Sequence, residues 1–114
     1  MNFLQILQIV AAVATILTGL LALLRPKSAY NFTGLRDTGG RGVTEMRAIF
    51  GGLFIALGLF PLIVNLPVAY QMLGWGYLAI AIVRLPAMFI DRSVVSSNII
   101  SLVIEIVLGV ILIL

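Results

Sequence analysis

The sequence predicts an all-α fold, an integral membrane four-helix antiparallel bundle. Of its 114 residues, 62% are hydrophobic and only 10% are charged, and four long apolar runs are separated by short polar or proline-containing stretches. A soluble domain averages about 25% charged residues, so this chain has too little polar surface to coat a water-soluble domain. The mean hydropathy of +1.24 agrees with this. We therefore expect a single four-span transmembrane domain, residues 1–114.

The first span is predicted over residues 3–24, because a membrane-crossing helix needs about 20 apolar residues. No basic side chain precedes this run, and no small-x-small cleavage site follows it, so we expect a retained helix rather than a cleaved signal peptide. Its polar and small residues recur at spacings of three and four, which is typical of a face turned to neighbouring helices. These residues are Gln8, Ala11, Ala12, Thr15, Thr18, Gly19 and Ala22.

The loop predicted over residues 25–44 is basic. The stretch from Arg25 to Arg47 carries five basic side chains against Asp37 and Glu45. Basic loops stay on the cytoplasmic side of a membrane, and their usual partners are anionic lipid headgroups rather than nucleic acid. The polar turn 91–93 lies on the same side, so we expect both termini to face outward.

The second span, predicted over residues 45–64, begins with a candidate cap, Thr44, followed by Glu45 and Arg47. Small residues then recur at helical spacing, and such residues let helix backbones approach closely inside a bilayer. We expect them to form a helix-packing face, with one stripe of Ala48, Gly52 and Ala56 and a second of Gly51 and Gly58.

The third and fourth spans are predicted over residues 68–90 and 97–114. The short turn 65–67 makes the second and third helices antiparallel neighbours. In the fourth span one stripe of polar and small residues is spaced by four, Ser97, Ser101, Glu105 and Gly109. Since the sequence has no soluble head or tail, we expect function to reside in the membrane or in the basic loop.

Two ionisable residues, Arg84 and Glu105, lie well inside spans, where a charge costs about 2.5–3.5 kcal/mol on insertion scales. At 1.5 Å per residue, Arg84 is about 10 Å in from Asp91, and Glu105 is about 12 Å in from Ser97. Glu105 thus has two candidate partners, Arg84 and Arg47, and Glu45 can pair with the other arginine. We expect a buried charge network of Glu45, Arg47, Arg84 and Glu105.

Two interpretations of these charges remain open. Ion pairs can fix the order of helices without adding much net stability. Alternatively, intramembrane ionisable groups often mark a polar site for a solute, a proton or a lipid headgroup. We favour the first interpretation.

The chain contains no cysteine and no histidine. It therefore lacks a thiolate nucleophile, and it lacks the side chain that most often serves as general base and metal ligand. We expect no catalytic residue, no metal site and no cofactor, and hence no enzyme.

Three segments carry a resemblance to a known family: EMRAIFGGLFIALGL, AIVRLPAMFIDRS and EIVLG. From about Leu17 onward, the chain resembles the bacterial four-helix membrane proteins grouped as domain of unknown function 4345, which are similar to the DoxX-type proteins. The resemblance implies a four-helix fold and an inner-membrane location, and it implies no particular activity. Its signature positions would be Glu45, Arg47, Gly51, Gly52, Gly58, Arg84 and Glu105.

Two functions are carried forward. We favour an accessory or scaffold subunit that binds other membrane proteins, pigments or lipids through its helix faces. The alternative is a small transporter that uses an intramembrane Arg/Glu site. In length and span number the chain is similar to the small multidrug-resistance transporters, but those place their glutamate in the first helix, where this chain has no ionisable side chain.

Overall fold

The structure is a computed structural model that describes residues 1–36 and 39–114. This part of the chain forms five helices. Four of them are long and apolar enough to cross a membrane, so the chain is a multi-pass membrane protein. The helices are α1 (Phe3–Leu24), α2 (Pro26–Thr33), α3 (Gly40–Val64), α4 (Pro67–Ile90) and α5 (Ser96–Ile113).

The four long helices alternate in direction, which confirms the predicted all-α antiparallel bundle. α1 packs along α3, α4 packs along α5, and smaller contacts join α1 to α5 and α3 to α4. The α3–α4 connection is tight because Asn65 adopts a left-handed conformation (φ 51°). Its N–H donates to the Pro61 carbonyl at 2.9 Å. The α3–α4 turn and both chain termini lie at one end of the bundle, which we call the terminal end. The opposite end, where α2 lies, is called the loop end.

Glycines bring the paired helices close together. A Cβ atom on Gly58 would lie 2.5 Å from the carbonyl oxygen of Ala12, so α3 contacts α1 through bare backbone. A Cβ on Gly74 would lie 2.9 Å from the carbonyl oxygen of Gly109, which is the equivalent contact between α4 and α5. Small residues of this kind allow dispersion contacts between helices in lipid, where there is no hydrophobic drive for association.

Each end of the bundle has its own apolar cluster. At the terminal end the cluster consists of buried residues from α1, α4 and α5, namely Ala11, Ala12, Tyr70, Leu73 and Leu112. At the loop end Ala22, Ala29 and Met46 pack together beside Tyr30. The Tyr30 hydroxyl donates to the Gly42 carbonyl at 2.8 Å, so α2 is fixed against the start of α3.

The loop end differs from the sequence prediction of a loop over residues 25–44. α2 occupies its first half and is capped by Gly34, whose φ of 76° suits glycine. α3 begins at Gly40, so Thr44 lies inside the helix and is not its cap. The first residues of α4 and α5, Pro67 and Ser96, each precede the predicted start by one position. Asp37, counted in the predicted loop charge, lies outside the described residues.

Candidate functional site

An ion pair joins α4 to α5 inside the bundle. Arg84 donates from Nη2 to Oε2 of Glu105 at 2.7 Å and from Nε to Oε1 at 2.8 Å, with a longer Nε–Oε2 contact of 3.1 Å. The Glu105 side chain is 9% exposed and that of Arg84 is 30% exposed. A two-point arginine–carboxylate contact is both strong and geometrically specific. The structure therefore brings together two of the four residues predicted to form the charge network.

Asn98 extends this pair toward the loop end. Arg84 donates from Nη1 to Oδ1 of Asn98 at 2.8 Å. Asn98 in turn donates from Nδ2 to the Ser93 carbonyl at 2.9 Å and to its hydroxyl at 3.2 Å. Asn98 is absent from the charge network predicted from the sequence. Its position seven residues before Glu105, which places both on one face of α5, was the available signal.

A second polar contact lies deeper in the membrane. The hydroxyls of Thr15 on α1 and Tyr77 on α4 are 2.5 Å apart. The Thr15 hydroxyl also donates to the Ala11 carbonyl at 2.9 Å, so the proton between the two hydroxyls comes from Tyr77. Tyr77 lies seven residues before Arg84 and so on the same face of α4. α4 therefore presents one polar face, which contacts α1 through Tyr77 and α5 through Arg84.

Glu45 and Arg47 do not join the network, which corrects the prediction. Glu45 accepts from Arg41 one turn earlier on α3, and both side chains are mostly exposed. Arg47 is exposed and forms no ion pair with any residue that the structure describes. The network is thus reduced to Arg84 and Glu105, supported by Asn98.

The reason lies in the backbone of α3, which is π-helical from Met46 to Leu53. Met46 and Gly51 are both buried on the inward face although they are five residues apart. In an α-helix, the residues three or four positions before Gly51 would share its face, and these are Ala48 and Arg47. The wider π-helical turn rotates both outward and brings Met46 inward instead.

The predicted packing face of α3 is divided by the same turn. Gly51 and Gly58 are buried against α1, as expected of a packing face. The other stripe is exposed, and a Cβ on Gly52 would meet nothing nearer than the Arg47 carbonyl at 4.0 Å. This exposed stripe consists of Ala48, Gly52 and Ala56. The prediction that it packs within the bundle is therefore wrong.

A crevice opens beside Arg84 toward the surrounding membrane. The π-helical segment of α3 packs on α1, whereas the α-helical segment Phe54–Val64 packs on both α1 and α4. Two cavities lie along the opening, of about 580 and 200 Å³, and both are lined by Arg84 and Asn98. The Arg84–Glu105 ion pair thus lies at the edge of a crevice that is open on one side.

The described residues contain no group of three histidine, cysteine, aspartate or glutamate side chains placed to hold a metal ion. Fold and site define a multi-pass helical membrane protein with an arginine–glutamate pair inside its bundle. No family model, curated protein or solved structure matches the chain. The resemblance to the domain of unknown function 4345 family and to DoxX-type proteins therefore stays a prediction.

Proposed function

We propose that this protein is a non-enzymatic accessory or scaffold subunit of the bacterial inner membrane, which binds other membrane proteins, pigments or lipids through its helix faces. The observation that carries the proposal is the exposed small-residue stripe of α3, formed by Ala48, Gly52 and Ala56. The chain's own α1 already occupies the opposite stripe, at Gly51 and Gly58. A helix from another subunit would find open space for close backbone contact at Gly52.

The ion pair supports a structural role within such a subunit. Glu105 accepts three hydrogen bonds from Arg84, so the charges satisfy each other inside the chain. A pair of this kind fixes which helix faces meet, even where it adds little net stability. A scaffold needs this fixed helix order if its outer faces are to be presented reproducibly.

A small transporter is the second candidate, and the crevice beside Arg84 is the observation that favours it. The terminal half of the bundle weighs against a transport path. Ala11, Ala12 and Leu112 are each 0% exposed, and they fill the space between Thr15 and the terminal end. Uptake of a solute into proteoliposomes that is lost in Arg84→Met would favour the transporter.

We propose that the loop end is cytoplasmic and that both termini face outward. All seven lysine and arginine residues lie between positions 25 and 92, and none lies near the terminal end. Since positively charged loops stay inside, this asymmetry orients the bundle, and the basic loop would contact anionic headgroups. A reporter fused at Leu114 should be active only as a periplasmic enzyme; cytoplasmic activity alone would reverse the orientation.

Purification in a gentle detergent tests the accessory role. The parent chain should retain a defined membrane protein in fixed stoichiometry, and Gly52→Leu should lose it while its own melting temperature is unchanged. Val107→Leu, a change at another exposed position on α5, serves as the control and should retain the partner. Retention of the same partner by Gly52→Leu would contradict the role of this stripe.

A further inference from the structure

The crevice beside Arg84 has a long apolar wall, which is formed by α4. The larger cavity is lined on α4 by Ala79, Ile80, Val83 and Ala87. Ile80 also lines a deeper cavity of about 180 Å³, which reaches Met72 and is almost entirely apolar. From Met72 to Arg84 the helix rises about 18 Å. This is close to the thickness of one leaflet of the hydrocarbon core, about 15 Å.

The end of the crevice nearest the loop end is polar instead. An arginine carries five N–H groups. Arg84 uses one on Nε and one on Nη2 for Glu105 and one on Nη1 for Asn98, so two remain. The smaller cavity, about 200 Å³, is lined by Arg84 together with Ser97 and Ser101. Both serines are half-buried, and their hydroxyls bond to no side chain or backbone group among the described residues.

The polar end lies near the loop end of α5. Asn98, which contacts the Arg84 guanidinium, is the third residue of α5 and so is close to the membrane surface. Long arginine side chains commonly extend toward the interface in this way. Phe32 of α2 and Phe50 of α3 close the cavity on its other side. A group bound there would remain in contact with the leaflet through the crevice.

Additional positive charge lies next to this cavity. Leu35 lines both the polar cavity and a neighbouring surface depression of about 620 Å³, which is also lined by Lys27 and Arg36. Glu105 compensates the charge of Arg84, so among the described residues that line these cavities Lys27 and Arg36 outnumber the remaining acid, Asp91. Asp91 lines the larger cavity, on the α4–α5 turn. The field therefore favours a ligand with a net negative headgroup.

We infer that the crevice binds one anionic phospholipid. Its phosphate accepts the two remaining N–H groups of Arg84 and the hydroxyls of Ser97 and Ser101, and one acyl chain lies along α4 from Val83 toward Met72. Lys27 and Arg36 face the rest of the headgroup. This inference rests on the lipid-binding part of the proposed function, but it concerns a different face of the bundle from the stripe at Gly52, so either site can fail without the other.

Native mass spectrometry of the detergent-purified, delipidated chain tests the site with dioctanoyl phosphatidylglycerol as probe. We expect one tightly bound molecule per chain. Ser97→Ala/Ser101→Ala should weaken binding about a hundredfold, because two hydrogen bonds to a charged phosphate are lost. Ser96→Ala, a neighbouring exposed serine outside the cavity, should leave the affinity unchanged. Because the double variant keeps the Arg84–Glu105 pair, its melting temperature without lipid should match the parent. Equal affinity of the double variant and the parent would overturn the headgroup site.

Further ligands and one bulky substitution test the other parts of the inference. Dioctanoyl phosphatidylcholine should bind more weakly, and equal binding would overturn the preference for an anionic headgroup. Glycerol 3-phosphate should bind far more weakly; equal affinity would overturn the acyl-chain groove and leave only a phosphate site.

Ala79→Phe should reduce lipid binding, whereas Val107→Phe on the lipid-facing side of α5 should not. Loss of binding in both variants, or in neither, would also overturn the groove.

Discussion

The two helix pairs of this bundle are joined by different means. α1 and α3 meet at glycines, with Gly58 against the Ala12 backbone and Ile16, and Gly19 against Gly51 and Ile55. α4 and α5 have a similar glycine contact near the terminal end, but their other half is joined by Arg84 and Glu105. Packing fixes how close two helices lie, whereas an ion pair also fixes which residues face each other. The difference indicates that the α4–α5 pair has the more strictly specified register.

The largest effect is expected from Arg84→Met, which breaks the polar half of the α4–α5 contact. Glu105 would be left buried without a counter-charge, a loss that is typically worth about 3–5 kcal/mol. Protonation of the stranded carboxyl offsets part of this cost. The measurement is the folded fraction after heating in detergent. A variant as stable as the parent would mean that the pair contributes nothing to the bundle.

A somewhat smaller effect is expected from Gly58→Leu in the α1–α3 pair. Its first side-chain atom would collide with the Ala12 carbonyl, and overpacking typically costs about 1–3 kcal/mol. Gly52→Leu is the matched control, because it makes the same change six residues earlier on the open face. Thermal melting in detergent should separate the two variants clearly. Equal melting temperatures would contradict the π-helical register of α3.

Tyr77→Phe removes the hydrogen bond between Thr15 and Tyr77, which is one of several contacts between the two helix pairs. The Thr15 hydroxyl keeps its bond to the Ala11 carbonyl, so only the hydrogen bond from Tyr77 is lost, at a cost of about 1 kcal/mol. Tyr70→Phe on the same helix is the control, since that hydroxyl bonds to no described side chain. A loss of stability in Tyr70→Phe as large as in Tyr77→Phe would assign the effect to general packing.

The smallest effect is expected from Glu45→Gln. Its partner Arg41 is 80% exposed, and surface pairs at i,i+4 contribute about 0.3–0.5 kcal/mol before screening by salt. The melting temperature of Glu45→Gln should be almost the same as that of the parent, both at low salt and at about 0.5 M salt, which weakens surface pairs. A loss comparable to that of Arg84→Met would restore Glu45 to the buried network.

The agreement between the predicted and the observed structure shows how much of it follows from the sequence. Four spans follow directly from hydropathy, and matching depths sufficed to propose Arg84 and Glu105 as partners, which are in contact. Depth along a helix depends only on the rise per residue. The direction in which a side chain points depends on the accumulated twist, and a single wide turn changes it.

The failures follow from that distinction. Arg47, Ala48 and Gly52 were placed by assuming an α-helical turn, but the segment Met46–Leu53 is π-helical and has no recognised sequence signature. α2 was missed because eight residues with lysine, serine and asparagine resemble a polar loop. The Asn98 contact is not predicted because it depends on how α4 and α5 lie side by side, which the sequence of either helix alone does not show.

The central claim is that Arg84 and Glu105 act as one coupled unit that sets the register of α4 and α5. A double-mutant cycle of Arg84→Met, Glu105→Gln and the combined variant, read as the free energy of unfolding in detergent, measures this coupling directly. We predict that the combined variant loses less stability than the two single losses together, by about 0.5–3 kcal/mol. Strict additivity of the two losses would contradict the claim.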